Sequence, residues 1–120
     1  MKDGTAGFEN MIVWKDSFKL SVEIYKLLKE TREFGIRDQM IRSSLSIPSN
    51  IAEGHDRNTD KEFVRFLNIA KASCGELRTQ VKFCIEIGLI EKEKGLELIS
   101  KTQKISSMLF NLIKSIKLKQ

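Results

Sequence analysis

The sequence predicts an all-α protein, an up-down-up-down antiparallel four-helix bundle with a proline-kinked second helix. Three observations lead there. One proline and seven glycines in 120 residues supply too little turn material for a β-sandwich. Apolar residues recur at steps of three and four along four long segments, and no alternating strand pattern competes. The connections between those segments are short and polar, which makes consecutive helices antiparallel neighbours.

The first ten residues, MKDGTAGFEN, are polar and read as a mobile arm. Helix one is expected from about Trp14 to Arg32. Trp14, Phe18, Val22, Tyr25 and Leu28 form its main apolar stripe, and Leu20, Ile24 and Leu27 widen it. The stripe is broader than one small core absorbs, so positions beyond the main stripe, such as Leu20, Ile24 and Leu27, are expected at an interface. Gly35 interrupts, and helix two follows with Met40, Ile41, Leu45, Ile47, Ile51 and Ala52 on its apolar side. Pro48 lacks the N–H that would bond the Ser44 carbonyl, and its ring crowds that oxygen, a defect costing about 3 kcal/mol if left uncompensated. Ser43, Ser44, Ser46, Ser49 and Asn50 surround it with short polar groups able to serve the freed backbone. A kinked helix reaching about Gly54 is the expectation; a break at Ile47 is the alternative.

Thr59 followed by Glu62 is a capping-box signal for helix three. Phe63, Phe66, Leu67, Ala70, Cys74, Leu77, Val81 and Cys84 then hold the 3.6 period, with Ala70, Ala72, Ser73 and Gly75 inviting a close neighbour. Gly88 closes the helix. Helix four is expected from about Glu91 to Ile116, with glutamates toward its start and lysines toward its end, as the macrodipole favours. The bundle proper is assigned to residues 11–117 and a frayed basic terminus to 118–120.

Composition narrows the functional classes. A chain this long buries roughly 65% of its unfolded surface, enough for one unstapled core. Apolar residues at 41% and charged residues at 31% exclude a disordered tail. The longest apolar runs, such as Met108-Leu109-Phe110, fall far short of the ~20 residues of a membrane span. The N-terminal stretch has no apolar signal core, so the expected compartment is cytoplasmic. Cys74 and Cys84 lie on one predicted helix about 15 Å apart along its axis, too far for a disulfide, which needs Cα atoms within ~7 Å. They read as small buried residues.

Catalytic residue types are scarce. His55 is the single histidine, beside Glu53 and Asp56, and is read as a solvent-exposed loop residue rather than a general base. No phosphate loop, nucleophile elbow or His-Glu-x-x-His occurs, and one histidine cannot complete a di-metal bundle site. Neither catalytic residues nor metal ligands nor a cofactor are assigned, and the chain is read as a non-enzyme.

Charge is distributed unevenly. Residues 1–57 carry nine basic and nine acidic side chains, and residues 58–97 carry seven of each. Residues 98–120 carry Lys101, Lys104, Lys114, Lys117 and Lys119 and no acid, so the whole net charge of +5 sits there. These five lysines are the candidate nucleic-acid-binding residues. The only tryptophan and tyrosine lie on helix one's apolar stripe, which favours backbone contact over base stacking.

The run Ser46-Ile47-Pro48-Ser49-Asn50-Ile51-Ala52-Glu53-Gly54, preceded by Gln39-Met40-Ile41-Arg42, resembles the signature of a bacterial four-helix bundle family encoded in intervening sequences of 23S ribosomal RNA genes. Ser46, Pro48, Ser49, Asn50, Glu53 and Gly54 are its central motif residues, read as a structural element. Trp14, Tyr25, Arg57, Glu62-Phe63, Phe66-Leu67-Asn68-Ile69-Ala70, Ser73 and Glu76-Leu77 extend the likeness over roughly residues 8–115. Two departures stand out: the aromatic-proline pair usual after helix one is absent at Thr31-Arg32, and Ser43-Ser44 replace small apolar residues. The resemblance implies a homopentamer. It also implies kinship with the accessory protein of diversity-generating retroelements, which binds nucleic acid and works with a reverse transcriptase. The expectation is therefore a non-enzymatic homo-oligomer that binds RNA or DNA through basic surface; the alternative is an adaptor for a protein partner such as a reverse transcriptase.

Overall fold

The computed structural model describes residues 7–119. Among the described residues a 3-10 turn, Phe8–Asn10, precedes four helices: α1 (Ile12–Leu28), α2 (Phe34–His55), α3 (Asp60–Glu86) and α4 (Lys92–Leu118). No strand occurs among the described residues. Each helix packs on the next in sequence, and α1 meets α4 to close the bundle. The α2–α3 seam is the most extensive and the α1–α4 seam the thinnest. The result is a rod of 46 × 27 × 21 Å. Its radius of gyration is 15.1 Å, against roughly 13.6 Å for a rounded chain of this length.

Local chemistry sets the helix ends. The Thr59 hydroxyl oxygen accepts the Glu62 N–H at 3.1 Å, one half of the expected capping box; the Glu62 carboxylate instead pairs with Arg65 at 3.5 Å. After α3, Gly88 takes a φ of 75°. Its N–H bonds the Ile85 carbonyl, and the Leu89 N–H reaches back to Cys84. That pairing is a Schellman motif, which needs a residue tolerant of left-handed backbone.

The core takes Leu20, Ile24 and Leu28 from α1, Met40, Ile47 and Ile51 from α2, Leu67, Leu77 and Val81 from α3, and Leu98, Ile105 and Leu109 from α4. Helix one corrects the sequence reading. Leu20 and Ile24, expected at the margin, are buried, whereas Phe18, Val22 and Tyr25 of the main stripe are exposed at 43%, 37% and 54%. Two stripes fit the same three-and-four spacing, and the small residues decide between them. Ser17 and Ser21 flank the inward stripe, and their hydroxyls bond back to Trp14 and Phe18 carbonyls at 3.1 and 2.6 Å, so burial leaves no donor unpaired.

The small residues of α3 need a similar correction. Ala70 and Ser73 are buried, but a Cβ on Gly75 would meet nothing within 4 Å. The close approaches lie at Gly54, against Phe66 and Phe63, and at Gly95, against Ile85. Cys74 and Cys84 are free and buried. Their thiols donate to the Thr102 carbonyl and the Met40 sulfur, at 3.0 and 3.5 Å. Burial pushes both thiol pKa values up, which keeps them unreactive.

Candidate nucleic-acid interface

The five candidate lysines do not form one patch. Lys101 faces α1. Its ammonium donates to Glu23 at 2.8 Å and lies 3.3 Å from Glu97. Lys94 contacts the same two carboxylates. For Glu23, burial acts to raise the pKa, but hydrogen bonds from Lys101 and Lys94 and their charges outweigh it, and the net shift is downward. Hydrogen bonding to Glu23 holds both lysines above their ordinary values. This network fastens the thin α1–α4 seam, so Lys101 carries a structural load. Lys104 borders a groove of about 220 Å³, shared with Asp16, Lys19, Leu20, Glu23, Lys101 and Ile105.

Lys114 and Lys117 sit elsewhere. With Phe110, Ile113 and Leu118 they line a surface cavity of about 290 Å³ that contains no carboxylate. Lys71 of α3 joins them, its ammonium 5.5 Å from the centroid of the Phe110 ring. Lys119 caps α4 through its N–H to Ile116 at 3.2 Å and exposes its side chain. Lys104, Lys114, Lys117 and Lys119 make no ion pair among the described residues.

The motif around Pro48 is turned toward α3. Helix α2 runs through Pro48 without a break, and the proline is buried. Ser46 shares a 2.8 Å hydrogen bond with Ser73. The Asn50 amide donates to the Ser46 carbonyl and hydroxyl at 2.8 and 2.9 Å. Glu53 pairs with Arg57 at 2.8 Å, and the Arg57 guanidinium lies 4.8 Å from the Phe66 ring centroid. Gly54 meets the same phenylalanine. Ser49 and Glu53 are the exposed members of the six. The arrangement builds the α2–α3 seam.

His55 departs from its expectation. It ends α2 with its side chain only 21% exposed, 3.2 Å from Asp56. Its ring meets Phe63 and Phe8 edge-on, at 6.0 and 6.4 Å between centroids. Glu53 is held by Arg57, so the two carboxylates do not converge on the imidazole. No group of three or more potential metal ligands occurs among the described residues. No described helix is long and apolar enough to cross a membrane.

Sequence reasoning missed Glu23 and Phe110. Glu23 lies 71 residues from Lys94, and nothing local announces the pairing. Phe110 did leave a signal, because it falls outside the 3.6-period stripe of its helix. A large aromatic there must face outward, and it is 54% exposed.

A family model described as 23S rRNA-intervening sequence protein matches residues 9–111. Among solved structures, the chain is similar to a crystal structure of a protein with unknown function from the S23 ribosomal protein family of Bacteroides thetaiotaomicron. The two share 29% identity at a TM-score of 0.81, over 86% of this chain and 99% of that one. No curated protein matches the chain.

Proposed function

The chain belongs to the 23S rRNA-intervening sequence protein family, and on that premise we propose that it is a non-enzymatic, self-associating four-helix bundle that binds nucleic acid electrostatically. The observation that carries the reading is the acid-free end of α4. Lys114, Lys117 and Lys119 project there with no ion pair among the described residues, whereas Lys101 is held by Glu23 and Glu97. Self-association multiplies a net charge of +5 per chain into an extended basic surface. The exposed face of α1, with Phe18, Val22 and Tyr25, supports a homo-oligomer, because contiguous apolar patches mark interfaces. The number five comes from the family resemblance alone. A cytoplasmic location accords with this reading.

The same α1 face favours a second reading, an adaptor for a protein partner such as a reverse transcriptase. Fluorescence anisotropy with labelled RNA and DNA across salt concentrations separates the two. Each duplex phosphate contact contributes a log–log slope of about 0.9. Changing Lys114, Lys117 and Lys119 together to Gln lowers the slope by up to about 3 per engaged subunit. Equal slopes make the cluster a solvated face, and absence of binding at low salt leaves the adaptor. Light scattering that finds a monomer at micromolar concentration overturns self-association.

A further inference from the structure

We propose that the cavity around Phe110 is a base-stacking site for single-stranded nucleic acid, with Lys71, Lys114 and Lys117 receiving the flanking phosphates. The inference rests on the nucleic-acid reading above and adds to it the strand type and a contact that phosphates alone do not supply.

Three features make the site. Phe110 presents a half-exposed ring on α4, off the buried stripe of its helix. The cavity beside it, about 290 Å³ in volume, is lined by Phe110, Ile113 and Leu118 together with Lys114 and Lys117, with no carboxylate in the lining. Lys71 approaches from α3 and lies over the ring. An aromatic platform set among cations is the combination that binds unpaired strands, because every base has a π-face and every nucleotide a phosphate. A paired base in a duplex has its faces covered by its neighbours and cannot use such a platform. A cation over an exposed ring is held less strongly than a stacked base, so a base entering the cavity displaces Lys71 from the ring toward a phosphate. The groove between α1 and α4 does not qualify, because no aromatic ring lines it and Asp16 and Glu23 sit among its lysines.

The test uses the full chain and three probes: a base-bearing single-stranded RNA, a strand of the same length in which the central bases are abasic, and the matching duplex. The abasic strand keeps every phosphate and loses the stacking faces. Wild type is expected to bind the base-bearing strand about tenfold more tightly than the abasic one, within the ~5- to ~150-fold that one stacked base provides. Phe110→Leu should abolish that preference with an unchanged salt slope, and Phe110→Trp should keep it. Because Phe110 is half-exposed, both variants are expected to fold, which circular dichroism checks.

Equal affinity of wild type for base-bearing and abasic strands overturns stacking while electrostatic binding stands. Failure to bind any of the three probes at low salt overturns both readings. Loss of binding to phosphatidylserine-containing vesicles in Phe110→Leu, with RNA binding unchanged, overturns the proposal by making the cavity a membrane contact.

Discussion

Replacing Gly54 with Ala tests how tightly α2 and α3 are fitted. A Cβ at Gly54 lies 2.7 Å from the Phe66 Cβ, 3.1 Å from a ring carbon of Phe63 and 3.2 Å from the Phe63 carbonyl oxygen. Carbon atoms in good contact sit about 3.5–4.0 Å apart, so the helices must part by at least about 0.8 Å. The Phe66 Cβ is fixed to the α3 backbone and cannot swing aside. Overpacking of this kind costs about 1–3 kcal/mol, while Ala gains about 0.8–1.0 kcal/mol over Gly from helix propensity. The expected net is a loss of up to about 2 kcal/mol. Gly75 is the control, since a Cβ there meets nothing within 4 Å, and Gly75→Ala should gain about 0.5–1 kcal/mol. Urea unfolding followed by circular dichroism at one fixed protein concentration measures both, since an oligomer's stability depends on concentration. A Gly54→Ala protein stabilised as much as Gly75→Ala would refute the close-fit argument.

Glu23→Gln should destabilise the fold by about 0.5–1 kcal/mol, well below the loss from breaking a fully buried pair, because Lys94 and Lys101 are a third or more exposed. The pH dependence has a fixed sign. The lowered Glu23 pKa contributes stability that is present above the unfolded carboxylate value and is lost as pH falls through the folded one. The raised Lys94 and Lys101 values contribute stability present below the unfolded lysine value and lost as pH rises through the folded ones. The gap between wild type and Glu23→Gln should therefore be constant near neutrality and close in acid; the same gap at pH 3 as at pH 7 contradicts the assignment. Pro48→Ala supplies an N–H toward the Ser44 carbonyl, and if the proline bends α2, the variant should fold yet assemble differently. Unchanged oligomer mass together with an unchanged α2 axis rules out a shaping role.

Element number, type and order were legible in the sequence because each helix carries a long periodic stripe, and α3 adds a signal at each end, Thr59 and Gly88. The orientation of α1 was not. Trp14-Phe18-Val22-Tyr25 and Leu20-Ile24-Leu28 follow the same spacing, and bulk favours the aromatics. Only the neighbours settle the matter: Ser17 and Ser21 let α1 approach closely on the aliphatic side. The interface was legible as a charge count and illegible as geometry. Five lysines within 23 residues look equivalent on paper, yet Glu23, on another helix, ties one of them down. Phe110 is one of seven phenylalanines in the sequence, and only the fold brings Lys71 of α3 to its ring.

The polar seam between α2 and α3 bears on alignment. Ser43 donates to the Gln80 side-chain oxygen at 2.6 Å in the interior, and Ser46 meets Ser73 farther along. Two antiparallel helices with uniformly apolar contact faces can slide by a turn, about 5.4 Å, and bury nearly the same area. Here such a slide strips the Gln80 amide and the Ser73 hydroxyl of their cross-helix partners, at about 1–3 kcal/mol each, while Ser43 and Ser46 keep bonds within α2. The seam thus adds little to the depth of the native minimum and much to its separation from slipped neighbours. A Ser43→Ala, Gln80→Leu double variant should hold its melting temperature and lose its singular backbone amide spectrum; one sharp set of resonances would show that α2 and α3 keep their alignment by shape alone.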